Sequence, residues 1–143
     1  MFQPLASLTG SVLVVEPDPA LARQVVQALE AAGLMAHHVT DPRASDTLAL
    51  EPRPDLIISE LLLPGTDGLS LFMAMQRRGE SVPTIILSGR SNPVDRVIGL
   101  RLGVTDWMNK PFDMDELVAR SQAILRRVIP QMSRDRTRVS TSV

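Results

Sequence analysis

Residues 12–15, 56–58 and 84–87 are apolar at successive positions and rich in β-branched side chains. A strand covered on both faces has no polar side, so unbroken runs of this kind predict the central strands of a parallel sheet. Weaker strands are predicted at 35–39 and 106–108. Between them the apolar spacing turns helical. Leu21, Val25 and Leu29 share one stripe, and Leu117, Val118, Ser121, Ile124, Leu125 and Val128 share another. The helix ends are punctuated. Asp18-Pro19, Asp41-Pro42 and Asn92-Pro93 each set a capping side chain before a proline whose fixed φ suits the first helical turn. Asp113 and Glu116 have capping-box spacing, with Asp as the cap. Asp67-Gly68 reads as a turn leading into a helix. Gly33, Gly79 and Gly103 stand where helices should stop in a left-handed residue.

Strand and helix thus alternate five times. The pattern predicts an α/β domain of (βα)5 form: a doubly wound, parallel five-stranded sheet with right-handed crossovers and helices on both faces. It occupies residues 11–129, preceded by an N-terminal extension at 1–10. After Arg127 the periodicity is lost. The polar stretch 130–143 sets Arg134, Arg136 and Arg138 against Asp135, and is expected to be a disordered tail or a truncated linker to an output domain.

Composition narrows the picture. A chain of 143 residues is the length of one domain and can bury a two-sided core. That core must be aliphatic, because Phe2, Phe72, Phe112 and Trp107 are the only aromatic residues. Methionines such as Met73 and Met75 are expected to fill gaps in it. Absence of cysteine excludes disulfides and thiolate chemistry. A net charge of −1 gives no electrostatic case for nucleic acid or membrane binding. No apolar run approaches the roughly 20 residues that span a bilayer, and the first ten residues lack the basic start of a signal peptide. A cytoplasmic protein is expected. His37 and His38 are neighbours on a strand and point to opposite faces, which argues against a shared metal.

Sites in open parallel sheets form at the carboxyl ends of the strands. There the chain places Glu16-Pro17-Asp18, Ser59-Glu60, Ser88-Gly89 and Lys110-Pro111-Phe112. Carboxylates, a hydroxyl and an ammonium therefore converge on one rim. Such oxygens suit Mg²⁺, while lysine and a hydroxyl can hold phosphoryl oxygens.

Residues 54–68, PDLIISELLLPGTDG, together with Ser88 and Lys110-Pro111-Phe112, resemble the receiver domain (CheY-like) of response regulators. The similarity runs from Ser11 to Arg127 and is strongest to the OmpR/PhoB group. It implies the flavodoxin-like strand order 2-1-3-4-5, a phosphoryl contact from Ser88 and Lys110, a cis bond before Pro111, and an aromatic switch at Trp107. Two departures stand out. The family's phosphoacceptor is aspartate, and this chain has Glu60. The family's acidic pair is here Glu16 followed by Pro17, which supplies no oxygen. Asp18 is a tempting substitute, but its neighbour Pro19 makes it a helix cap.

Glutamate reaches about 1.5 Å farther than aspartate, and a misplacement near 1 Å can cost a reaction about a hundredfold. Loss of a carboxylate also weakens the Mg²⁺ that phosphoryl transfer uses. The expectation is therefore an atypical receiver that works without phosphorylation, with Glu60 paired to Lys110 as a permanent partial mimic of the phosphorylated state. No resident cofactor is expected; Glu16 and Glu60 would hold weak Mg²⁺ if any metal binds. No nucleophile–base pair or cofactor loop suggests an enzyme.

The resemblance also implies a homodimer through the face of the fourth helix, fifth strand and fifth helix. There Arg96 would meet Glu116, and Asp106 would meet Arg120, across a two-fold axis. The implied role is the regulatory half of a DNA-binding transcription regulator, with a sensor kinase as partner and DNA bound only through an output domain. The alternatives are a conventional phosphoryl-accepting receiver and a small-molecule-sensing module.

Overall fold

The computed structural model describes residues 10–42, 53–89 and 93–141, with side chains as far as residue 128. In chain order the elements are β1 (Ser11–Val15), α1 (Pro19–Ala31), β2 (Met35–Val39), β3 (Leu56–Glu60), β4 (Leu62–Leu63), β5 (Thr66–Asp67), α2 (Gly68–Arg77), β6 (Thr84–Ser88), α3 (Pro93–Leu102), β7 (Asp106–Asn109) and α4 (Met114–Thr141). The helix expected after Asp41-Pro42, the cap at Asn92 and most of the N-terminal extension fall outside the described residues.

Five strands form one parallel sheet in the order β2-β1-β3-β6-β7, which is the expected order 2-1-3-4-5. Alternation along the strands builds two cores. Val12, Val14, Leu56, Ile58, Ile85 and Leu87 pack with Val25 and Leu29 of α1 and with Leu117, Ile124 and Leu125 of α4. On the opposite face Leu13, Val15 and Ile57 meet Leu71 and Met75 of α2, and Ile86 meets Phe72, Val104 and Trp107. The central strands β1, β3 and β6 are buried at both alternating positions because each has helices on both sides. Met75 fills this core, whereas Met73 is partly exposed.

The stop signals act as their chemistry requires. Gly33, Gly79 and Gly103 have φ of 90°, 76° and 109°, in the left-handed region.

Two features depart from expectation. A second, two-stranded antiparallel sheet pairs β4 with β5 around Pro64-Gly65, with φ of 73° at Gly65; proline before a positive-φ glycine is the chemistry of a tight type II turn. The last helix does not stop near 129. Where a disordered tail or a truncated linker is expected, α4 continues to Thr141 through Pro130, so the stretch is helical and not a disordered tail. The apolar stripe ends, but the residues that follow include Gln131, Met132, Arg134, Arg136 and Arg138, which favour helix, and none is glycine.

Candidate functional site

The carboxyl ends of β1, β3, β6 and β7 lie side by side, and they deliver their last residues to one rim. Glu16 follows β1 and stays in the ladder through its N–H, which donates to the Val39 carbonyl at 3.0 Å. Glu60 ends β3 opposite Leu87 of β6. Lys110 follows β7, and its N–H donates to the Ser88 carbonyl at 2.8 Å. The Lys110-Pro111 bond is cis.

Lys110 stands two strands from Glu60 and three from Glu16, so three long side chains are needed to close the gap. They close it. The ammonium Nζ lies 2.6 Å from Glu16 Oε1 and 2.6 Å from Glu60 Oε1. The remaining oxygens are also taken. Glu16 Oε2 accepts from the Asp18 N–H at 3.0 Å, and Glu60 Oε2 accepts from the Leu62 N–H at 2.9 Å. In both cases the donor is the backbone two residues on, where the chain turns away from the strand end.

Burial makes these contacts count. Glu16 and Glu60 are 3% and 9% exposed, and an ion pair out of water is costly unless each partner is well satisfied. Burial pulls the Lys110 ammonium toward a lower pKa. The hydrogen bonds and charges of Glu16 and Glu60 outweigh it, and the group titrates above its ordinary 10.5.

Neighbouring positions support the rim. Asp18 caps α1, its Oδ1 accepting from the N–H groups of Ala20 and Leu21 at 3.0 and 3.4 Å. Its carboxylate is committed to the helix and not to the cluster. Pro17 is half-buried and offers no polar atom. Ser88 is buried at the end of β6. Gly68 begins α2 so close beneath the site that a Cβ would lie 2.7 Å from the Glu60 carbonyl oxygen, and Ser59 Oγ donates to that same oxygen at 2.9 Å. Asp67 caps α2 by accepting from the Ser70 N–H at 2.7 Å.

The donor set does not fit a divalent cation well. Each carboxylate already has one oxygen on the ammonium and the other on a backbone N–H, whereas Mg²⁺ asks for an octahedron of oxygens. Among the described residues no group of three or more His, Cys, Asp or Glu side chains is arranged to hold a metal. His37 and His38 are both exposed on β2, the edge strand beside β1.

The second predicted cluster makes ion pairs within one chain as well. Arg120 NH1 pairs with Asp106 Oδ2 at 2.6 Å, and its NH2 pairs with Glu116 Oε2 at 2.7 Å, both within one chain. The i,i+4 spacing of Glu116 and Arg120 was the available signal for this. Arg96 lies exposed on α3. Beside it the helix presents Val94, Val97 and Ile98, which are 64%, 45% and 47% exposed; with Pro93 and Arg101 they line a shallow, almost wholly apolar groove.

Trp107 is buried with Leu61, Phe72, Ile86 and Val104. Its Nε1–H is buried and finds no acceptor among the described residues. Nothing in the local pattern around Gly99 hints at its part in this packing. A Cβ at that position would sit 2.5 Å from Trp107 Cζ3 and 2.9 Å from Cε3.

Comparison with known proteins agrees with this fold. The family described as "Response regulator receiver domain" matches residues 12–122. The DNA-binding response regulator MtrA of Mycolicibacterium smegmatis is 38% identical over 116 residues, covering 81% of this chain and 50% of its own length. The alkaline phosphatase synthesis transcriptional regulatory protein SphR of Synechococcus elongatus is 34% identical over 133 residues, covering 87% of this chain and 52% of its own length. The chain thus spans about half the length of these curated relatives. Among solved structures, the Francisella response regulator 1452 receiver domain superposes with a TM-score of 0.77 at 28% identity, covering 83% of this chain and 98% of that one. Among the described residues no helix is long and apolar enough to cross a membrane.

Proposed function

The chain belongs to the response regulator receiver domain family, and from that premise we propose that it is an atypical receiver which signals without phosphoryl transfer. The observation that carries this reading is the bridge from Lys110 Nζ to Glu16 Oε1 and Glu60 Oε1, both at 2.6 Å. The resemblance puts Glu60 where relatives carry an acceptor aspartate. An attacking carboxylate oxygen must be free and in line with the phosphorus. Glu60 instead has one oxygen on an ammonium and the other on the Leu62 N–H. Its added methylene brings the negative charge to the lysine directly, so the contact that a phosphoryl oxygen would make is already made.

Output is exerted through dimerisation. The apolar strip of Val94, Val97 and Ile98 beside the exposed Arg96 is a surface that a second copy would cover. Arg120, already held by Asp106 and Glu116, presents a fixed charge at the edge of that face. The curated relatives are transcriptional regulators about twice this length. We therefore take the domain as the regulatory half of a cytoplasmic DNA-binding regulator. Residues 130–143 then form the connection to an output domain, which is the part that meets DNA.

Intact-mass measurement after incubation with acetyl phosphate and Mg²⁺ tests the reading. The mass is expected to stay unchanged. A stoichiometric phosphoryl adduct on Glu60 would establish the conventional phosphoryl-accepting reading, with a sensor kinase as natural partner.

A further inference from the structure

A carboxylate rim of this kind calls for a positive charge, and two carboxylates nearly out of water cannot face one another unneutralised. The chain supplies that charge from one of its own side chains. Lys110 Nζ sits between one oxygen of Glu16 and one of Glu60 at equal distances of 2.6 Å. The ammonium is a compact cation with three donors on a flexible stem, and two of those donors are used here.

We propose that Lys110 is the resident cation of this pocket, occupying the place between Glu16 and Glu60 that a divalent ion would otherwise take, so that the rim is metal-free. A divalent ion entering would have to displace the ammonium while leaving its charge close by. It would also compete with the Asp18 and Leu62 N–H groups for the second oxygens, held at 3.0 and 2.9 Å. Mg²⁺ gives up its waters reluctantly and takes near-ideal octahedral geometry at about 2.0–2.1 Å. Position 17 cannot add a third carboxylate, being proline, and Asp18 is committed to the α1 cap. With two carboxylates and one ammonium the cluster keeps a net charge of one negative unit, which the two backbone donors offset in part.

The inference deepens the reading of the same site given above but stands on different measurements. Mn²⁺ is titrated into the isotopically labelled protein, and paramagnetic broadening of the backbone amides around residues 16 and 60 is followed by NMR. Thermal unfolding is recorded alongside, with the ionic strength matched by NaCl. The wild-type chain is expected to show neither selective broadening nor a cation-specific rise in Tm. Lys110→Ala, which unpairs both carboxylates, is expected to gain both, with Mn²⁺ affinity at least roughly tenfold above wild type, or about 1.4 kcal/mol. Should that variant fold poorly, Lys110→Gln removes the charge while keeping a hydrogen-bond donor, and the same gain is expected.

Selective broadening in the wild type at millimolar Mn²⁺ would overturn the proposal. Equal absence of binding in all three proteins would overturn it too, because Lys110 would then be keeping nothing out. A wild type that binds Mn²⁺ yet takes no phosphoryl group sinks this inference and leaves the phosphorylation-independent reading standing. A metal-free wild type that is phosphorylated does the reverse.

Discussion

Gly99 and Trp107 are packed so closely that a single Cβ on the glycine would lie 2.5 Å from the indole Cζ3. Helix α3 carries that glycine next to its exposed Val97 and Ile98, so the indole and the candidate dimer face share one helix. Gly99→Ala should force the ring or the helix to move, at a cost of about 1–3 kcal/mol, the usual range for overpacking. Urea unfolding measures the loss. The emission of Trp107, the sole tryptophan, should move to longer wavelength as the ring meets water. An unshifted spectrum with unchanged stability would show that the contact relaxes freely.

Removing one member of the rim should be far worse than removing two. Lys110→Met leaves Glu16 and Glu60 facing each other without a counter-ion, and loss of one partner in a buried pair costs about 3–5 kcal/mol. Glu60→Gln in the same chain removes one of the opposing charges and should restore part of that loss. A double-mutant cycle with coupling near zero would mean that the pair is merely solvated, since contacting residues ordinarily couple by about 0.5–3 kcal/mol.

The pH dependence follows from the same contacts. Lys110 titrates above its ordinary 10.5 in the folded chain. A raised folded-state value means that the unfolded chain loses its proton first. The stabilisation is therefore complete below about pH 10.5 and disappears as pH rises through the folded value. Chemical denaturation midpoints should hold up to that pH and then fall in the wild type more than in Lys110→Met.

The dimer face can be tested by charge. Arg96→Glu places an acid beside the partner's Glu116 if the two-fold contact forms, and should dissolve the dimer in sedimentation velocity. Ile98→Asp, which puts a charge in the exposed apolar strip, should do the same. Unchanged sedimentation coefficients in both variants would dismiss this face.

The core of this fold was readable because aliphatic runs such as Val12 to Val15 and Thr84 to Leu87 leave no polar face for solvent. Glycines at 33, 79 and 103 then fixed where three connecting segments turn. Convergence of Glu16, Glu60 and Lys110 was likewise readable, since parallel strands end on one edge. Other features depended on contacts that no local pattern encodes. That Arg120 meets both Asp106 and Glu116 within the chain depends on the packing of β7 against α4, and only the i,i+4 spacing of Glu116 and Arg120 hinted at part of it. Gly99 looked like an ordinary helix residue, because what it makes room for comes from β7. The extension of α4 was not legible because loss of an apolar stripe does not by itself mark the end of a helix, and no glycine stops this one.

The claim that Glu60 already makes the contact with Lys110 that a phosphoryl group would make is tested most directly by adding Mg²⁺ and beryllofluoride while following Trp107 fluorescence and sedimentation together. The account predicts that neither changes. A saturable fluorescence response accompanied by a shift in oligomeric state would contradict it.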